Sequence, residues 1–325
     1  MIRMSEPILE IVNLRKYFPI MGGVLLRQVS AIHAVDGVSF DIKHGETLGL
    51  VGESGCGKTT LSRVVLRLIE PTSGTVRYMG RDLFELSEKE MRKLRLEMAM
   101  IFQDPYASLN PRMTLADIVG EPLTIHGLAR GEERKKRIIE VVKKVGLAPF
   151  HMYRYPHEFS GGEKQRIGIA RTLTSNPKLL VADEPVSSLD VSVRAQILNL
   201  LKDLQEEFRF TYLYISHDLS TVKHMCDRVA VMYVGKVVEL APVKDLYINP
   251  LHPYTEALIS AIPVPGRRAG ENRIILKGAV PTPIDPPPGC RFNPRCPYSE
   301  PICAKEDPKF IEVRKGHFVA CHLRK

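Results

Sequence analysis

Residues Gly52 to Thr59 read GESGCGKT, which fits G-x-x-x-x-G-K-[ST]. Glycines at that spacing let successive backbone N–H groups converge on a phosphate. Lys58 then reaches the outer phosphates, and Thr59 offers its hydroxyl to Mg²⁺. An apolar run, TLGLV, precedes the loop, and a helical pattern, TLSRVVLRLI, follows it. That is the strand-to-helix context a chance match lacks. Further along, LLVADE ends an apolar strand in two acids, Asp183 and Glu184. The first is suited to hold Mg²⁺ through water, the second to polarise an attacking water as general base. Taken alone, such a pair is a solvated strand end, and His217 after TYLYIS is a surface histidine. Their shared placement changes the reading, because ligands of open α/β sheets sit beyond the carboxyl ends of strands. Lys58, Asp183, Glu184 and His217 all fall there. Phosphoryl transfer asks for positioning and charge neutralisation, so these residues point to a nucleoside triphosphatase.

The elements that must position them alternate between strand and helix. ILEIVNL and IHAVDGVSFDI read as strands, the second alternating through Val35, Val38 and Phe40, and they predict an antiparallel opening. MAMIFQ is a short apolar strand. From about residue 104 to 176 the pattern is helical, as expected of an inserted subdomain. Strands resume at KLLVADE and TYLYISHD, separated by a helix whose stripe holds Ile197, Leu200, Leu201, Leu204 and Phe208. This alternation predicts an α/β fold, a parallel P-loop sheet covered on both faces. Near Pro263 the composition changes to VPGRRAGENR and GAVPTPIDPPPG, which marks a boundary between residues 1–262 and an extension of 263–325. The extension is too poor in large apolar side chains to build a core unaided.

The 325 residues carry 44% hydrophobic and 26% charged side chains, ample for a large core. No uncharged apolar run approaches the roughly 18 to 20 residues of a membrane helix. The start, MIRMSEPILEIVNLRKYF, lacks the continuous apolar stretch of a secretion signal, so a reducing cytoplasm is expected. The net charge of +9 is compatible with nucleic acid, anionic lipid, an anionic ligand or a solvated surface excess.

FSGGEKQR at 159–166 resembles the signature sequence of ATP-binding cassette (ABC) ATPases, and an ordered set of motifs accompanies it. Gln103 in IFQDP resembles the Q-loop, SLD at 188–190 the D-loop, and His217 the switch histidine. The resemblance covers about residues 8–262. It implies a RecA-like core with an antiparallel β subdomain and a helical subdomain, binding ATP and Mg²⁺. It also implies a head-to-tail pair of cassettes, in which Ser160, Gly161 and Gly162 of one complete the phosphate site of the other. The implied nucleotide contacts are Gly52, Ser54, Gly55, Cys56, Gly57, Lys58, Thr59, Thr60, Gln103, Asp183 and Asp190, with Tyr17 or Phe18 stacking on adenine. Phe18 fits the usual spacing after LRK better. Mg²⁺ falls to Thr59, Gln103 and Asp183, and catalysis to Glu184, His217, Gln103 and Lys58. Glu163 departs from the family's usual glutamine, and a carboxylate beside a triphosphate is repelled unless it turns away. No nucleotide contact is assigned to it.

HPYTEALISAIPVP and the proline- and cysteine-rich run after it look like the extension of the ATPase subunits of dipeptide and oligopeptide importers, especially the F-type subunit. The resemblance implies a motor subunit at the cytoplasmic face of the membrane. Its partners would be a second homologous ATPase, two transmembrane permease subunits and an extracytoplasmic solute-binding protein, without direct contact to nucleic acid. The same group includes importers for nickel or oligosaccharides. A soluble cassette acting on nucleic acid is disfavoured, since the chain has neither the long coiled coil or zinc module of repair members nor a second cassette. A regulatory module without turnover is disfavoured by the presence of both Glu184 and His217.

The extension also holds Cys290, Cys296, Cys303 and Cys321, spaced C-x5-C-x6-C-x17-C. A reducing compartment disfavours disulfides. Zinc usually takes a C-x2-4-C knuckle, which is missing. Four thiolates at longer spacing suit an iron–sulfur cluster, while zinc and unliganded thiols stay open. The resemblance implies a [4Fe-4S] cluster with a structural role. Cys56 and Cys226 stand apart and read as packing residues.

Overall fold

The computed structural model describes residues 6–22, 27–262, 273–286 and 288–324. The boundary expected near Pro263 lies outside the described residues. The chain divides into two compact units, residues 1–85 with 214–325, and residues 86–213. The second takes in more than the helical stretch 104–176, since it includes strands Met98–Ile101 and Leu179–Asp183.

The first unit contains an antiparallel sheet in the order Arg27–Ile42, Leu9–Gly22, Ser73–Tyr78, Arg81–Asp82. The antiparallel opening is as the alternation predicts, but the first strand continues beyond ILEIVNL to Gly22. Its partner supplies ladder bonds through Tyr17↔His33 and Phe18↔Ile32, so pairing carries the strand past the apolar run. A second sheet places Thr47–Val51 parallel to Arg228–Tyr233, which pairs antiparallel with Lys236–Pro242. Thr47–Val51 is buried at all five positions, the mark of a strand covered on both faces. It delivers the chain into the loop that opens helix Lys58–Val65.

The C-terminal extension builds onto this unit. His317–Ala320 pairs with Lys236–Pro242 and with Phe310–Arg314. Glu239, fully buried, accepts from Leu251 N (2.7 Å) and His252 N (2.9 Å) and bonds His317 Nε2 (2.7 Å). A buried carboxylate needs such partners, and the His317 bond ties the extension to the sheet. Phe292 fills the space beside Tyr233, Tyr254 and His252 at ring distances of 5.3 to 5.5 Å. The extension thus gains its apolar contacts from the sheet and its neighbours.

In the second unit Met98–Ile101 and Leu179–Asp183 run parallel. Helix Leu115–Ile125 starts at Thr114, whose side chain accepts from Asp117 N, and buries Leu115, Ile118, Val119 and Leu123 on one face. Helix Gly131–Lys144 carries Glu132 and Glu133 in its first turn and Lys143 and Lys144 in its last, charges that favour the peptide dipole at each end. Helix Val191–Phe208 buries Ile197, Leu198, Leu201 and Leu204. Among the described residues no helix is long and apolar enough to cross a membrane.

Candidate functional site: a phosphate loop and an acid-ended strand

In the first unit the loop after Thr47–Val51 is shaped by its glycines. Gly57 has φ +108°, and a Cβ there would meet Ala34 O at 2.0 Å; at Gly52 it would meet Met232 O at 2.1 Å. No side chain fits either position. Lys58 is 5% exposed, and its ammonium donates to Gly52 O (2.8 Å) and Glu53 O (3.0 Å) and lies 3.8 Å from Cys56 Sγ. The loop's own carbonyls therefore hold the charge over the loop. Ser54 and Gly55 are exposed, Thr59 and Thr60 half-buried in the first turn of the helix. Cys56 is buried, and burial raises its thiol pKa.

The two candidate aromatics differ in environment. Tyr17 stacks on His33 with centroids 4.1 Å apart and donates its hydroxyl to Asp36. Burial, then the Asp36 hydrogen bond, pushes its pKa up to about 12. Phe18, its neighbour, is 36% exposed with the Lys16 ammonium 4.9 Å from the ring centre. An aromatic face is thus open at Phe18 and committed at Tyr17. His217 is exposed immediately after strand Thr211–Ser216.

In the second unit Asp183 ends its strand 2% exposed, and Glu184 follows with φ +46°. A left-handed glutamate is strained, and here Ser187 N (3.2 Å) and Ser187 Oγ (3.1 Å) both donate to its carbonyl. Gln103 Nε2 donates to Glu184 Oε2 across 3.0 Å, so the structure brings these two predicted residues together. Asp190 caps helix Val191–Phe208, accepting from Val193 N (2.9 Å) and Ser192 Oγ (2.8 Å), which lowers its pKa. Ser160 caps helix Gly161–Leu173, and Gly162 is buried where a Cβ would meet Val193 Cγ1 at 2.5 Å.

Glu163, left without a role by its sequence, completes that cap. Its carboxylate accepts from Ser160 N (2.9 Å) and Ser160 Oγ (2.8 Å), while Glu163 N donates to Ser160 Oγ (3.3 Å). The serine's backbone and side-chain bonds hold the Glu163 carboxyl below its usual pKa. The S-x-x-E spacing announces this box and was the available signal.

Residues 35–187 match the family described as ABC transporter, and residues 238–303 match that described as oligopeptide/dipeptide transporter, C-terminal region. Over 322 residues the chain is 55% identical to the oligopeptide transport ATP-binding protein AppF of Bacillus subtilis, covering 98% of each. The chain belongs to the ABC transporter family, in its oligopeptide/dipeptide branch. Also similar is the putative peptide import ATP-binding protein BOV_A0347 of Brucella ovis, 51% identical over 98% of both chains. Among solved structures, a dimeric post-hydrolysis state of the ATP-binding cassette MJ0796 bound to ADP and Pi matches with TM-score 0.64 and 31% identity, over 72% of this chain and 98% of that one. CbiO1 of Clostridium perfringens, part of a cbiONQ ABC transporter complex, matches with TM-score 0.64 and 28% identity, over 75% and 92%. The chain is accordingly an ABC ATPase with the cassette fold expected of it.

The cassette's four C-terminal thiols are gathered in one region. Burial raises the pKa of Cys290 to about 11 and that of Cys296 and Cys321 in the same direction, and charge on Cys303 or Cys321 adds to the rise at Cys290. All four are free, and Cys290 N donates to Cys303 O (2.8 Å). Yet among the described residues no group of three or more His, Cys, Asp or Glu is arranged to hold a metal ion. The structure therefore does not support the expected iron–sulfur centre as a preformed site. Cys226 lies against Gly49, where a Cβ would meet its sulfur at 2.9 Å, a packing position.

Proposed function

We propose that this ABC ATPase is the motor subunit of a di- or oligopeptide importer, coupling ATP hydrolysis to solute uptake through membrane partners. The observation that carries it is the full-length likeness to AppF, named as an oligopeptide transport protein, extending through the C-terminal region. The loop 52–59 takes the phosphates, with Lys58 on the outer ones and Thr60 in the same helical turn. Thr59, Asp183 and Gln103 hold Mg²⁺, and Phe18 stacks on adenine. Glu184 activates water, oriented by Gln103 and assisted by His217. Ser160, Gly161, Gly162 and Asp190 act on a second cassette. The partners are a homologous ATPase, two permease subunits and an extracytoplasmic binding protein, which places the chain at the cytoplasmic face of the membrane.

Reconstitution tests the reading. The purified chain is expected to hydrolyse ATP slowly alone and faster with the second ATPase and permeases, faster still when peptide-loaded binding protein is added. Fast hydrolysis indifferent to every partner would refute the coupling. Cys290, Cys296, Cys303 and Cys321 are the proposed ligands of a [4Fe-4S] cluster with a structural role. That part rests on donor chemistry and spacing, four thiolates without a zinc knuckle.

A further inference from the structure

Two arginines lie between Cys290 and Cys296, and both bond residues of the first unit outside the extension. Arg291 donates to Val234 O and to Asp36, the carboxylate that also receives the Tyr17 hydroxyl. Arg295 spans 242 positions to the phosphate loop. Its Nη1 donates to Glu53 Oε2 (2.9 Å) and its Nη2 to Glu53 Oε1 (3.3 Å), with the side chains 9% and 28% exposed. Paired N–H donors on two carboxylate oxygens fix orientation as well as charge.

Glu53 is held on its other sides too. Its N–H donates to the Tyr254 hydroxyl (2.9 Å), and its carbonyl accepts from Lys58 Nζ (3.0 Å). One loop residue thus links an arginine of the extension to the phosphate-binding lysine. Burial opposes the Arg295 charge, but the bonds to Glu53 and Tyr233 outweigh it and raise its pKa further.

We propose that Arg295 is a positioning residue for nucleotide binding, acting through Glu53 to brace the phosphate loop and to neutralise a carboxylate that otherwise repels the polyphosphate. The carboxylate belongs to the loop itself, so without its cation it opposes the ligand's charge at short range in a partly desolvated place. The bidentate bond also sets the Glu53 peptide, and with it one of the two carbonyls that aim Lys58. The inference rests on reading residues 52–59 as the ATP site.

The test is a double-mutant cycle on the full chain, with a fluorescent MgATP analogue as probe and melting temperature as the folding control. Arg295→Gln is expected to raise the dissociation constant about tenfold, and Arg295→Lys, which keeps charge without the fork, about threefold. Glu53→Gln added to Arg295→Gln is expected to recover binding to within about threefold of wild type, because the uncompensated charge is gone. A purely structural bond gives no such recovery. Wild-type affinity in Arg295→Gln, or no recovery in the double variant, overturns the proposal. Where Arg295→Gln does not fold, Arg295→Lys decides: about threefold weaker binding supports the proposal and unchanged binding overturns it. Lys58→Ala separates the two readings. If it weakens binding about thirtyfold or more while the Arg295 variants leave it unchanged, only this inference falls; if it too binds normally, the loop is not the nucleotide site and both fall.

Discussion

The side-chain amide of Gln103 donates to Glu184 Oε2 at 3.0 Å, joining residues 81 positions apart at the ends of two parallel strands. The bond fixes a carboxylate whose backbone is already left-handed, with φ +46°. In Glu184→Gln the amide oxygen still accepts from Gln103, so geometry survives while the base is lost. Turnover should fall at least about a hundredfold with nucleotide affinity retained. Gln103→Ala should lower turnover less, by freeing the glutamate without removing it. Normal steady-state hydrolysis by the Glu184→Gln protein would take Glu184 out of its role.

Lys58 should govern affinity in the first place. Its ammonium is 5% exposed and bonded to Gly52 O and Glu53 O, so Lys58→Ala removes a charge already held over the loop. Loss of a charge-assisted contact of about 2 kcal/mol predicts about thirtyfold weaker binding or more. Lys58→Arg should not rescue it, because the planar fork does not fit a site built around a compact ammonium. Equilibrium titration with MgATP reads both variants.

The loop was legible because backbone geometry dictates its residue types: nothing but glycine fits beside Ala34 O and Met232 O. Strand Leu179–Asp183 was legible from its apolar run. On Val191–Phe208 the helical period marks Ile197, Leu201 and Leu204, which are buried, but Leu198 takes a buried place while Leu200 and Phe208 are half-buried. Phe208 instead stacks on Phe210 and carries the Lys144 ammonium 4.6 Å from its ring centre. Such partners come from outside the helix and leave no periodicity within it. The same holds for Arg295 and Glu53. An ion pair across 242 residues has no local pattern in the sequence.

The thiols carry a separate prediction. A [4Fe-4S] cluster held by Cys290, Cys296, Cys303 and Cys321 has a direct chemical readout. Protein purified without oxygen should be brown, with iron and acid-labile sulfide in near-equal amounts, and serine at any of the four positions should bleach it. Because Arg295 adjoins Cys296, bleaching should also weaken nucleotide binding, by less than the Arg295→Gln change does. A colourless preparation, or a brown one indifferent to all four substitutions, would end this assignment.

Glu163 gives a pH-dependent prediction. Its carboxylate closes the cap on helix Gly161–Leu173 by accepting from Ser160 N and Oγ, and these bonds hold its pKa below the ordinary 4.5. A carboxyl with a lower pKa folded than unfolded adds stability above its unfolded value, and that contribution fades as the pH falls through the folded value. The stabilisation is therefore complete at neutral pH and lost from about pH 4.5 downward. Ser160→Ala removes the cap itself and should cost about 1 kcal/mol at neutral pH. Glu163→Gln keeps an oxygen that accepts from Ser160 N, so it should cost less than Ser160→Ala at neutral pH and lack the acid-side loss. Thermal melts of the three proteins at about pH 7 and about pH 4 read the difference. The gap between wild type and Glu163→Gln should narrow in acid; a gap that stays constant, or a Glu163→Gln protein as unstable as Ser160→Ala, would show that the carboxylate does not close the cap.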